Sequence, residues 1–265
     1  MPASTPILIT GASGALGRQM TRLLGEAGYT LRLTDIAPFP DALPPGASFT
    51  QADLVNAPSI TALVAGCSTV LHFGGVSVEK PFDTVLGPNI VGIHNIYEAA
   101  RLAKARVMFA SSNHAIGFHP RSTRLDADCA LRPDSFYGLS KAYGELMAGL
   151  YWEKHGTESV LVRIGSSFPE PVDERMLATW FSYADLARLM VCCIEAPRTG
   201  CCVVWGNSAN ARSWWGDDAR ALLGWVPQDT SDIFAAAVVG KITDDPVIEQ
   251  HQGGAYCAMD YTKQR

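Results

Sequence analysis

Near the amino terminus, the apolar run Pro6-Ile7-Leu8-Ile9-Thr10 leads straight into Gly11-x-x-Gly14-x-x-Gly17. A short apolar run bounded by glycines reads as a buried strand. From Arg18 to Ala27 the apolar residues Met20, Leu23, Leu24 and Ala27 recur at helical intervals, and Gly28 stops them. The chain must therefore turn sharply from a strand into a helix. Glycines stand where the backbone has no room for side chains, and such a turn is the start of a βα unit in a parallel sheet. A helix beginning there offers unpaired N–H groups and the positive end of its dipole to an anion. A glycine triplet alone is a weak signal. Its place between a first strand and a first helix makes it a turn for a dinucleotide pyrophosphate.

The rest of the chain repeats the alternation. Residues 30–34, 49–53, 69–73, 106–110 and 159–164 read as strands, and residues 59–65, 85–103 and 136–155 as helices. Strands alternating with helices predict an α/β fold, a doubly wound parallel sheet. The regular pattern loosens after about residue 165. The expectation is a single domain over residues 1–265, in which about 166–265 contributes a small substrate lobe over the carboxyl ends of the strands.

Composition narrows the function classes. The net charge is -5 with no run of five like charges, which disfavours a nucleic-acid partner. No apolar stretch reaches the roughly 18 residues of a membrane span. Residues 1–6 show no basic segment followed by an apolar one, so no secretory signal is read there and a cytoplasmic location is expected. The 7 cysteines contain no C-x-x-C, and histidine spacings typical of zinc sites are absent. Reduced thiols and no metal are expected.

Asp35 ends the second strand. A carboxylate there can accept hydrogen bonds from the ribose hydroxyls of NAD and repels the extra phosphate of NADP; no Arg or Lys follows within several residues. The cofactor wall expected from these positions is Gly11, Ser13, Gly14, Ala15, Leu16 and Gly17 of the turn, with Asp35 and Ile36. Asp53 and Leu54 follow the third strand, Phe73, Gly74 and Gly75 the fourth, and Ile164 ends the sixth; Asn89 lies in the helix after them. Asp53 serves equally well as a turn residue, and Asn89 as a polar surface residue.

Ser112 ends the fifth strand, and Tyr137 and Lys141 form an i, i+4 pair on one helical face. Tyrosine in water has a pKa of about 10 and is a poor base. A neighbouring ammonium is expected to lower it. Tyr137 can then take a proton from a hydroxyl as hydride passes from the same carbon to the cofactor. Ser112 donates a hydrogen bond to the substrate oxygen, and Lys141 also holds the nicotinamide ribose.

With these elements in register, the chain resembles the short-chain dehydrogenase/reductase superfamily in its extended, sugar-acting branch. The form Thr10-Gly11-x-x-Gly14-x-x-Gly17 and the late Leu223-Gly224-Trp225-x-Pro227 both carry that likeness. It implies a Rossmann-type fold. Over nearly its whole length the chain is similar to the bacterial uronate dehydrogenase family. The stretches that carry this are Gly74-Gly75-Val76-Ser77-Val78-Glu79-Lys80-Pro81-Phe82, Ser111-Ser112-Asn113-His114, Arg163-Ile164-Gly165-Ser166, and Pro169-Glu170-Pro171 leading to Arg175-Met176-Leu177. The stretches Ser167-Phe168 and 126–130 depart from the family pattern and bear on substrate preference.

The resemblance implies oxidation of the anomeric carbon of galacturonate or glucuronate to an aldarolactone, with NAD. It implies that Arg175 grips the substrate carboxylate, and that Ser77, Asn113, His114 and Ser166 join Ser112 and Tyr137 around the sugar. It implies a homo-oligomer paired through the two long helices. The tryptophans are expected in the core or an interface rather than under a sugar. Two rivals stay open: an NAD-dependent epimerase or dehydratase of the same branch, in which an epimerase gives no net NADH, and an NAD-binding module without turnover.

Overall fold

The computed structural model describes residues 5–263; residues 1–4 of the amino-terminal segment lie outside it. Among the described residues seven strands form one sheet. They are β1 (Ile7–Thr10), β2 (Leu31–Asp35), β3 (Ser48–Gln51), β4 (Thr69–His72), β5 (Arg106–Ser112), β6 (Ser159–Ile164) and β7 (Cys201–Gly206). All pair in parallel, in the order β3-β2-β1-β4-β5-β6-β7. The chain runs outward one way from β1 to β3, returns beside β1 as β4, and runs outward the other way. The crevice at that reversal, between the carboxyl ends of β1 and β4, is where such sheets hold ligands.

Strands buried on both faces need helices on both faces. On one face lie α1 (Ala15–Glu26) and a late helix, Tyr183–Glu195; Met20 and Leu24 of the first and Leu186, Leu189 and Met190 of the second pack against Ile9, Leu33 and Val162. On the other face lie α2 (Ala57–Val64), Gly92–Ala103 and Phe136–His155, whose Ile60, Ile96, Tyr97 and Ala148 cover Leu8, Val70, Val107 and Leu161.

The structure differs from the sequence reading in two places. The helix expected over 85–103 is compound: α3 (Phe82–Val85), a π-helical turn Leu86–Val91, then α4 (Gly92–Ala103). Pro88 has no N–H to give to an i→i−4 ladder, and the backbone widens around it. Next, residues after 165 do not simply loosen. The short α6 (Met176–Thr179) precedes the late helix, α7 (Tyr183–Glu195), which together with β7 completes the sheet. Phe181, Val204 and Trp225 are part of its core. Apart from Leu223 and Trp225, which pack into that core, the segments 166–180 and 207–263 are left to build outside the sheet. No helix among the described residues is long and apolar enough to cross a membrane.

The helix Phe136–His155, α5, starts at Ser135, whose hydroxyl accepts from Gly138 N (2.9 Å), and ends at left-handed Gly156 (φ 67°). A buried ion pair ties it to β6: Arg163 Nη2 and Nε donate to Glu145 (2.8 and 3.0 Å), and Ser111 Oγ donates to the same carboxylate (2.6 Å). The guanidinium stands over Trp205, itself stacked on Trp215 (centroids 4.9 Å, 9°). Both tryptophans are buried, away from the cavity described below. Glu145→Ala leaves that arginine uncompensated. We expect a loss of about 3–5 kcal/mol, read from chemical denaturation; an unchanged midpoint would show the pair contributes nothing.

Candidate active site

The turn after β1 is shaped by contact with the end of β4. A Cβ on Gly11 (φ 69°) would lie 2.6 Å from Gly74 N and 2.7 Å from Phe73 C, so no side chain fits. One on Gly17 would lie 2.1 Å from Gly11 O, which is how closely α1 folds back on the turn. Gly14 precedes α1, and no side chain caps the helix, so its first N–H groups remain available to an anion. Asp35 accepts from Ser13 N and Ala37 N, one bond to each carboxylate oxygen (3.0 Å each). Each oxygen keeps a lone pair for a ribose hydroxyl. The neighbouring lining residues Ile36, Ala37, Ala52, Asp53 and Leu54 include no cation for an extra phosphate. This donor set and glycine cradle fit NAD.

One cavity of about 990 Å³ is lined by every candidate cofactor, catalytic and substrate residue named from the sequence except Asn89. It runs from the glycine turn and Asp35 to Ser112, Tyr137, Lys141 and Arg175. Asp53 lines it while also closing its own turn through Val55 N (3.0 Å). Asn89 stands one layer behind. Its amide brackets the backbone of Val76, accepting from N (2.7 Å) and donating to O (2.9 Å), and also donates to Ser140 Oγ (2.9 Å). The π-helical turn delivers it there. A Cβ on Gly75 (φ 119°) would meet Asn89 Oδ1 at 2.6 Å. Asn89 is thus committed to holding the Gly75–Val76 backbone rather than to lining the cavity.

Tyr137 sits in the first turn of α5, where Glu79 accepts from Tyr137 N (2.8 Å) and Phe136 N (3.2 Å). Burial pushes its phenol well above the ordinary value, and the Ser112 hydroxyl pulls the other way. This reverses the direction expected from a neighbouring ammonium. Lys141 Nζ stands over the Tyr137 ring (5.4 Å from the centroid) and over Phe109 (5.1 Å), and donates to Ala110 O (2.8 Å). The same burial lowers Lys141 to about 8.

At the far end Arg175 Nε donates to Gln252 O (2.8 Å) and Nη1 reaches Ser166 Oγ (3.4 Å). With the Asn113 amide oriented to satisfy its neighbours, its oxygen accepts from Arg175 Nη2 (2.7 Å) and its nitrogen donates to Ile164 O (3.2 Å). All these partners are neutral. Among the described residues Arg175 makes no ion pair, and burial lowers its pKa.

Several residues here escaped the sequence reading. Asp134 Oδ2 pairs with His114 Nδ1 (2.7 Å), and Tyr256 stacks on the His114 ring (centroids 4.0 Å, 16°). Arg121 binds Glu249 (2.6 Å) and the carbonyls of Ile248 and His251, fixing the segment that brings Tyr256 into the wall. Asp134-Ser135 before Tyr137 carries a helix-cap signal; nothing in the sequence marks Tyr256, which lies more than a hundred residues from its partners.

The NAD dependent epimerase/dehydratase family matches residues 7–215. A uronate dehydrogenase of Pseudomonas syringae pv. tomato is 45% identical over 256 residues, covering 95% of this chain and 93% of the relative. A uronate dehydrogenase variant from Agrobacterium tumefaciens, solved in complex with NAD, superposes with a TM-score of 0.91 at 44% identity, covering 96% of this chain and 97% of that one. Glucuronic acid dehydrogenase from Chromohalobacter salexigens gives a TM-score of 0.91 at 45% identity over 96% of this chain and 97% of its own.

The buried ammonium gives a pH test. Lys141 is charged in both folded and unfolded chains below about pH 8, and folding then bears its desolvation, on the order of 3 kcal/mol. Between about 8 and 10.5 the unfolded chain holds the extra proton, so the parent gains stability with rising pH. Lys141→Met lacks this titration. Thermal unfolding of both proteins should show the parent gaining on the variant across that window; a gap independent of pH would remove the buried-charge account.

Proposed function

The chain belongs to the NAD dependent epimerase/dehydratase family, among its uronate dehydrogenases, and from that premise we propose that it oxidises the anomeric carbon of D-galacturonate or D-glucuronate to an aldarolactone with NAD. The observation that carries this reading is Arg175, a guanidinium in the cavity wall bonded only to neutral acceptors. A uronate carboxylate supplies the direct ion-pair partner that Asp173 and Asp134, acting on Arg175 only from a distance, do not, and it matches the guanidinium bidentately. Neutral sugars do not. Ser77, Asn113, His114 and Ser166 are the remaining sugar contacts in this reading, and the segments 166–180 and 207–263 form the substrate lobe.

The residues for the cofactor are Gly11, Ser13, Gly14, Ala15, Leu16 and Gly17 at the pyrophosphate and Asp35 with Ile36 at the adenosine ribose. Asp53 and Leu54 serve the adenine, and Phe73, Gly74, Gly75 and Ile164 form the wall beyond. Asn89 acts through Gly75 and Val76. Bound NAD supplies the hydride acceptor and a positively charged ring. Ser112, which lines the same cavity as Tyr137, orients the anomeric hydroxyl. Tyr137 takes that proton at Oη as carbon 1 is oxidised, and the new carbonyl is that of the lactone. Lys141 holds the nicotinamide ribose and stabilises the Tyr137 phenolate that accepts the proton.

The assembly in this reading is a cytoplasmic homo-oligomer. Phe136, Leu139, Leu146 and Leu150 form an exposed apolar stripe on α5. Sedimentation should give a dimer or larger; a monomer at micromolar concentration would remove the oligomer.

The reaction is tested by NADH absorbance with both uronates, using galactose and glucose as controls. We expect NADH from the uronates alone. Arg175→Ala should raise the uronate KM by at least about tenfold with little change in NAD affinity, and Tyr137→Phe should lower kcat by about a hundredfold or more with NAD still bound. Equal turnover of neutral sugars would remove the uronate reading, and no NADH from any sugar would favour an epimerase or a binding module.

A further inference from the structure

Asp134 carries no role in the reading above, yet it is built into the site with unusual care. Its carboxylate is fully buried, beneath the partly exposed His114 ring. Oδ2 faces His114 Nδ1 at 2.7 Å, and Oδ1 accepts from Ser135 Oγ at 2.8 Å. Glycines surround it. A Cβ on Gly117 or Gly253 would lie 1.9 Å from Oδ2, and one on Gly138 2.9 Å from Oδ1. The cradle leaves the carboxylate no alternative position.

The protons in this chain of bonds can be assigned. Gly138 N–H donates to Ser135 Oγ (2.9 Å), so the single hydroxyl proton of Ser135 is free to point at Asp134 Oδ1. An ionised carboxylate only accepts, so His114 carries its proton on Nδ1. His114 Nε2 has no protein partner among the described residues, and the ring lines the cavity. Tyr256 stacks on one face of the ring, and Tyr137 meets it edge-on (5.7 Å, 66°). Position, plane and tautomer of the imidazole are all set from behind.

We propose that Asp134 is the positioning residue of the substrate pocket: it holds His114 as the Nδ1–H tautomer, so that Nε2 presents a lone pair to a hydroxyl of the sugar. This deepens the uronate reading and rests on it for the identity of the ligand. Within it, His114 is an acceptor, complementary to Arg175, which can only donate. Asp134→Asn is nearly isosteric but reverses the logic. Ser135 keeps the amide oxygen on its side, the amide N–H then faces His114 Nδ1, and the ring must carry its proton on Nε2. A donor replaces the acceptor.

The test has two arms. Nitrogen-15 correlation spectra of the histidine side chains, recorded near pH 8 on the full chain without substrate, should show His114 protonated on Nδ1 in the parent and on Nε2 in Asp134→Asn. Kinetics should show a rise in uronate KM of at least about tenfold for Asp134→Asn, with the Kd for NAD within about twofold of the parent. His114→Phe keeps the stack on Tyr256 and removes both nitrogens. Adding Asp134→Asn to it should raise KM by far less than Asp134→Asn alone does, because the carboxylate acts mainly through the ring, its charge reaching Arg175 only as a smaller effect behind burial. Nε2 protonated in the parent, as neutral tautomer or imidazolium, overturns the proposal, and that measurement needs no variant. KM losses that multiply in the double variant also overturn it, as does a parent-like KM in Asp134→Asn. Failure of the parent to oxidise any uronate would sink the substrate reading instead and leave the tautomer result standing.

Discussion

Backbone meets backbone where β1 and β4 end, and the rest of the site depends on that contact. Gly11 turns beneath Gly74 with no space for a Cβ of its own, and one on Gly74 would already lie 3.0 Å from Thr10 Oγ1 and Leu54 Cδ1. Thr10 secures the arrangement from within the sheet: its hydroxyl accepts from Gly74 N (3.2 Å) and pairs with buried His72 Nδ1 (2.7 Å). Because β1 and β4 are neighbours only at the reversal of strand order, the turn opens into the crevice there, and α1 starts with its free N–H groups facing it. A side chain at Gly11 would part the two strand ends and move the helix with them.

Around that crevice the protein holds ionisable groups where burial works against their charge. Tyr137 is pushed up, while Lys141 and Arg175 are pushed down, each with desolvation as the largest cause. The hydrogen bonds that hold them go to carbonyls and neutral side chains, such as Ala110 O and Gln252 O. Such a site costs stability, and the offset lies in the two apolar layers on the sheet. The Glu145–Arg163 pair, between α5 and β6, lies outside the cavity. Its charges are matched, and it serves as a fixed wall behind Ser111 and Trp205.

The elements that sequence reading located well are those whose signals are local. The strand–glycine–helix start, the strand ends at Asp35 and Ser112, and the helix over Phe136–His155 all depend on neighbours a few residues away. The readings that changed depend on distant partners. Chain order groups Asn89 with the cofactor residues that follow the fourth strand; the widened turn at Pro88 points its side chain at Val76 instead. The direction of the Tyr137 shift depends on how deeply a second helix and the carboxyl-terminal segment bury it, which spacing cannot report. The seventh strand is an apolar run, Cys201 to Trp205, legible in composition but detached from the repeating pattern that located the others.

By itself the sequence determined the class of sheet and the position of the dinucleotide turn, and it singled out Ser112, Tyr137, Lys141 and Arg175, which line one cavity, since glycine spacing, periodicity and a family pattern are properties of the chain order. Only the tertiary structure decided that Arg175 has no anion of its own, that Asp134 stands behind His114, and that Tyr256 closes the ring from the other side. These are relations among segments near residues 113, 134, 175 and 256. Charge compensation and tautomer are set by which groups meet in space, and the chain order carries no local trace of that meeting.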